Sequence, residues 1–165
     1  MKLPNPSTYG SKAAKLACSH ARITLAGGFP APPASYTSWM TAEGAAEATY
    51  TLYRRGLELL EDGDFEHATE PLAEAARRAP EKTSVREALG RAYFRAGRFA
   101  PAAREFAAVV ESHPVDDYAH FCLGRALSKT GQKRRARHHL ALASNLRPDR
   151  RDYRYYRRLL DAETG

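Results

Sequence analysis

The sequence predicts an all-α fold, a right-handed superhelical solenoid of three helix–turn–helix units closed by a C-terminal helix. Two observations carry this prediction: an internal repeat that steps by 34 residues without insertion, and helical patterning that breaks at the same places in every copy. Aligned, RGLELLEDGDFEHATEPL (55–72), LGRAYFRAGRFAPAAREF (89–106) and LGRALSKTGQKRRARHHL (123–140), each with the proline that follows it, share five series. The series are Gly56/Gly90/Gly124, Gly63/Gly97/Gly131, Ala68/Ala102/Ala136, Leu72/Phe106/Leu140 and Pro80/Pro114/Pro148.

Each position has a physical reading. Leu89, Gly90 and Tyr93 form one stripe of a first helix, and Gly97 stands where that helix must stop. Glycine adopts the left-handed conformation beyond a helix end without steric cost. Ala102, Phe106 and Val109 then recur at i, i+4 and i+7 on a second helix. Pro114 closes it, because a proline drives the residue before it out of the helical region. A glycine inside a helix costs about 0.8–1 kcal/mol against alanine, so Gly90 requires a packing reason; pairing with Ala102 across the hairpin is the expectation. Pro101 falls in a first turn, where its missing N–H is harmless. Pro71 lies later and is expected to bend its helix or delay its start.

The ends differ from the middle. Residues 149–165 read as a capping helix in which Tyr153, Tyr156 and Leu160 cover the last repeat, as solenoids require. Arg154, Arg157 and Arg158 fall on core positions, so this helix is expected to leave the register of the repeat. Residues 1–39 contain no acidic residue, clustered Pro and Gly and no sustained period. They read as a disordered or non-native extension, with a targeting segment as the alternative. The repeat region is placed at 40–148, with Met40 a candidate start and Thr41 the N-cap of the first helix.

The 34-residue pattern resembles the tetratricopeptide repeat (TPR) family, of the small bacterial type, over residues 49–82, 83–116 and 117–148. It departs where the family favours tryptophan, at Leu52, Arg86 and His120, and at Arg55, which replaces the leucine of Leu89 and Leu123. The resemblance implies a concave groove lined by first helices. In the first repeat the groove positions are Tyr50, Tyr53, Leu57, Leu60 and Glu61, and in the second Ser84, Glu87, Arg91, Phe94 and Arg95. The third supplies Tyr118, Phe121, Arg125, Ser128 and Lys129. Arg91 matches Arg125, and Arg95 matches Lys129, so a basic ladder runs beside an aromatic floor of Tyr50, Tyr53, Tyr118 and Phe121. Arginine and aromatic residues are the types enriched in binding hot spots, and guanidinium groups suit carboxylates. The implied function is a scaffold or adaptor whose groove binds an acidic, partly apolar segment of another protein. The family's clamp for a chaperone's C-terminal carboxylate is absent, because its positions hold Tyr53, Leu57, Ala88, Tyr118 and Cys122.

Charge supplies the alternative function. The chain of 165 residues carries a net +7, unevenly spread. Residues 49–82 hold five basic and eight acidic residues, net −3, whereas residues 117–148 hold seven basic and one acidic, net +6. The run Lys133, Arg134, Arg135, Arg137 is a basic patch suited to non-specific nucleic-acid contact, or to acidic regions of other molecules including other copies. Two cysteines, Cys18 and Cys122, without ligand spacing argue against a disulfide framework and for a reducing cytoplasm. No HExxH, G-x-S-x-G or phosphate loop is present, and the histidines read as surface or groove lining. No enzyme activity, metal or cofactor is expected, and no apolar run reaches the length of a membrane span.

Overall fold

The structure, a computed structural model, describes residues 34–162, with side chains from Gly44 onward. Among these residues there are seven helices and no strand: α1 (Ala34–Glu61), α2 (Phe65–Arg78), α3 (Thr83–Arg95), α4 (Phe99–Ser112), α5 (Asp117–Lys129), α6 (Lys133–Leu146) and α7 (Arg151–Ala162). Second helices begin at residues 65, 99 and 133, and first helices at 83, 117 and 151, each step being 34. From α2 to α7, each helix packs on the next. The expectations for residues 1–33 lie outside the described residues.

Helix α1 starts seven residues before its predicted N-cap. It runs unbroken through Thr41, because no proline follows Pro33 until Pro71 and alanines favour continuation. The turns follow local chemistry. Gly63, Gly97 and Gly131 have φ of 81°, 77° and 78°. In each turn the glycine N–H donates to a carbonyl three residues back and the next N–H donates five back, as in Gly97 to Phe94 and Arg98 to Tyr93. This Schellman pattern satisfies the carbonyls left open at the helix end. At the other turns Ala79, His113 and Arg147 each precede a proline and take φ of −132°, −133° and −132°, which stops the second helices. Asp116 caps α5 by accepting from the Ala119 N–H at 2.8 Å. Pro101 sits in the first turn of α4, whereas Pro71 lies well inside α2 without delaying its start.

The helical glycines are packing devices, but their partner is not the alanine. A Cβ on Gly90 would lie 2.9 Å from the Phe106 ring, and one on Gly124 would lie 2.7 Å from Leu140; Leu72 fills the same place against Gly56. The large residue one turn beyond the alanine reaches back across the hairpin and occupies the missing side chain's space. Ala102 is itself fully buried, and in the third hairpin the Ala136 carbonyl also approaches Gly124. The core is correspondingly layered. Leu60, Leu72, Val85 and Leu89 lead one cluster, while Phe106, Leu123, Leu127, Leu140 and Tyr153 lead the next, with Tyr93 touching both.

Helix α7 keeps the register that its arginines were expected to break. Tyr153 and Leu160 stand 34 residues after Ala119 and Ala126 and are as completely buried. Tyr153 stacks on Phe121 at 4.5 Å and donates its hydroxyl to Asp117 at 2.8 Å. The arginines fall on the face that in the other hairpins receives a second helix. Arg154 and Arg158 are exposed there, and Arg157 donates to Ser144.

Candidate functional site

The first helices bring part of the predicted set together. Arg91 and Arg95 of α3 and Tyr118, Arg125 and Lys129 of α5 surround one cleft of about 590 Å³. Its apolar wall comes from Phe94, Phe99 and Phe106, and Cys122 also faces it. Arg91, Arg95 and Lys129 are exposed. The half-buried Glu87 is held above the usual carboxylate range by burial and by Asp116, with Arg91 pulling the other way. Burial pushes the Tyr118 hydroxyl up to about 12 and the Cys122 thiol up to about 11. Burial thus favours the protonated thiol of Cys122.

Arg125 is not a free rung of the ladder. Its guanidinium lies 4.7 Å from the Phe94 ring centroid, 5.5 Å from Phe121 and 4.5 Å from Tyr156. Cation–π attraction on three sides holds it as a link between α3, α5 and α7. Arg95 in the same way lies over Phe65, at 5.3 Å. Phe121 leaves the floor altogether. It is 5% exposed, stacked beneath Tyr153 and edge-on to Tyr156, because α7 covers the position. Leu60 is also core, at 8% exposure.

Tyr50 and Tyr53 line a different cleft, of about 770 Å³, with Val85, Ser84, Lys82 and the apolar part of α1. Leu57 is partly buried against the first core cluster. The predicted floor thus divides into an apolar tyrosine cleft at α1 and a basic cleft between α3 and α5. The sequence reading places Tyr156 in the capping helix but leaves out Phe99 and the contact of Tyr156 with Arg125. Phe65 and Phe99, one repeat apart at the start of second helices, were the visible signal for the first; nothing local announced the second.

The basic patch lies at the start of α6, with Lys133, Arg134, Arg135 and Arg137 exposed. Arg135 donates to Gln132 at 2.7 Å, and Arg137 pairs with Asp161 at 3.2 Å. The histidine reading needs correction. His120 is 3% exposed, its Nε2 is 3.0 Å from the Pro114 carbonyl and its Nδ1 is 3.0 Å from Nδ1 of His139. A carbonyl only accepts, so Nε2 of His120 carries hydrogen; in the neutral pair His139 donates through Nδ1 to the bare Nδ1 of His120. Burial and the neighbouring His120, His138 and Arg135 push His139 down to about 4. Among the described residues no group of three or more His, Cys, Asp or Glu is placed to hold a metal, and no helix is long and apolar enough to cross a membrane.

Hairpins of constant step, turned by glycine and closed by proline, define an α-solenoid of the helix–turn–helix class. Residues 59–121 match the model of the tetratricopeptide repeat family. Similar solved structures include the first TPR of Spaghetti (RPAP3) bound to the HSP90 peptide SRMEEVD, at 17% identity and a TM-score of 0.67, covering 72% of this chain and 94% of that one. MamA (41 to end) from Desulfovibrio magneticus RS-1 matches at 21% identity and a TM-score of 0.68, covering 70% and 66%. The Yersinia enterocolitica type III secretion chaperone SycD, in complex with a YopD peptide, matches at 15% identity and a TM-score of 0.59, covering 70% and 88%. At these identities the likeness is one of fold. No curated protein sequence matches the chain.

Proposed function

We propose that this protein is an interaction scaffold without catalytic activity, binding an acidic, partly apolar peptide segment of another protein on its first-helix face. The observation that carries the reading is the cleft between α3 and α5, which the exposed Arg91, Arg95 and Lys129 line together with Phe94 and Phe99. Guanidinium groups bind carboxylates through paired hydrogen bonds, and the aromatic wall takes an apolar side chain. Two of the similar solved folds hold peptides, and one of those peptides, SRMEEVD, is acidic at its end. Here the basic groups stand at other positions than the family's carboxylate clamp, so an internal acidic stretch suits the cleft better than a chain terminus. The tyrosine cleft at α1 offers an apolar extension of the same face.

The test is fluorescence anisotropy with a labelled peptide alternating Asp or Glu with Phe or Leu, against a Lys-substituted control. Arg91→Glu with Lys129→Glu is the informative variant; reversing Arg125 would also loosen α7. A loss of at least tenfold in affinity, about 1.4 kcal/mol, with unchanged helicity is expected. Equal binding by the variant and the wild type would overturn the basic cleft as the site.

A further inference from the structure

Among the described residues the solenoid has an uncovered helix face at each end, and the two ends are of opposite charge. In the third hairpin Leu123 and Leu127 face Ala100, Ala103 and Ala107 of α4, the second helix of the hairpin before, and are 2% and 1% exposed. The first hairpin has the same slot on α1, with Leu52, Leu59 and Pro71 as its floor, but it is an open cleft of about 740 Å³. Arg55, whose counterparts Leu89 and Leu123 are buried, is 63% exposed there. The cleft is lined by Asp64, Glu70 and Glu74 together with Arg55, His67 and Arg77; Asp64 pairs with His67, and Glu74 with Arg77 and Arg78, which leaves Glu70 as its outward acid, in a hairpin that carries net −3 over residues 49–82.

The opposite end is its complement. Helix α7 is a first helix in register whose second-helix face holds Arg154 and Arg158 beside Tyr155, which is 61% exposed. Residues 133–158 contain ten basic and two acidic residues, net +8. We infer that this α7 face docks into the α1/α2 cleft of a second copy of the chain, so that copies stack head to tail. Tyr155 supplies apolar area to Leu52, Leu59 and Pro71, and Arg154 and Arg158 meet Glu70 and the net negative charge of the first hairpin. The two surfaces differ, so the contact is heterologous, and each added copy exposes a fresh cleft and a fresh arginine face. The contact uses neither Arg91 nor Lys129 and stands apart from the peptide reading.

Sedimentation velocity on the full, nuclease-treated chain tests this. The wild type should show a sedimentation coefficient that climbs with concentration, at about 0.1 M salt, and falls back at about 1 M, where the Debye length is only about 3 Å. Arg154→Glu with Arg158→Glu removes one end, and Leu59→Arg with Glu70→Arg removes the other. Each variant alone should remain monomeric, with an unchanged circular dichroism spectrum. An equimolar mixture of the two, which leaves one intact cleft and one intact arginine face, should stop at a dimer. The Arg91→Glu, Lys129→Glu variant should assemble like the wild type. A wild type that is monomeric at every concentration overturns the inference, as does a closed dimer or a mixture that yields no heterodimer. Assembly that is lost on nuclease treatment assigns the arginine face to nucleic acid instead and overturns it equally.

Discussion

The second and third hairpins solve one packing problem with two chemistries. In the second, Arg86 of α3 donates to the Pro80 carbonyl at 2.9 Å and to Glu105 of α4 at 3.1 Å. In the third, His120 and His139 stand at the same two positions, 34 residues on, with the same proline carbonyl as third partner. The first hairpin places Leu52 and Pro71 there. An ion pair, an imidazole pair and an apolar pair therefore fit one backbone geometry. The backbone fixes where the two side chains meet, and it leaves the nature of the contact open.

The largest effect should come from the feature these two hairpins share. Phe106→Ala empties the space against Gly90 and Leu140→Ala the space against Gly124, costing about 3–5 and about 2–5 kcal/mol respectively. Urea denaturation measures both, and a cost under ~1 kcal/mol at either site would show that the glycine contact is not what locks the hairpin.

The imidazole pair should separate the hairpins by pH. His139 is held at about 4 in the folded chain, below its ordinary 6.5. The unfolded chain therefore binds more protons between those values, so the contribution is complete above about 6.5 and is lost as pH falls toward about 4. The melting temperature is expected to drop across this window. Grafting the second hairpin's pair, by His120→Arg with His139→Glu, should remove the part of that drop due to the imidazoles while leaving stability near pH 7 close to wild type. An unchanged pH profile in the graft would assign the acid sensitivity to other groups.

The smallest effect should be equal in both hairpins. Gly97→Ala and Gly131→Ala force a side chain into φ of 77° and 78°, with no neighbour in contact. Each should cost about 1–2 kcal/mol from backbone conformation alone, and a large difference between them would reveal a contact specific to one turn.

The same contrast explains what was legible in the sequence. Hairpin lengths, glycine turns, proline stops and the burial of Tyr153 and Leu160 followed from spacing. The start of α1 did not, because Thr41 is an acceptable cap that the surrounding alanines simply override. Gly90 was read against Ala102, the nearest small residue, while the ring of Phe106 reaches the space first. Phe121 and Arg125 looked like groove residues because their positions are groove positions in the repeat. Their surroundings depend on Tyr153 and Tyr156, supplied by a helix some 30 residues later.

The repeat, its 34-residue step and the class of fold are written in the chain locally, since turn conformation and helical periodicity are set by residues within a few positions of one another. Which arginines stay exposed, which aromatics are covered and which histidines meet is settled by packing between hairpins. Those outcomes depend on what the neighbouring hairpin places opposite each position, and the period of the repeat does not encode that.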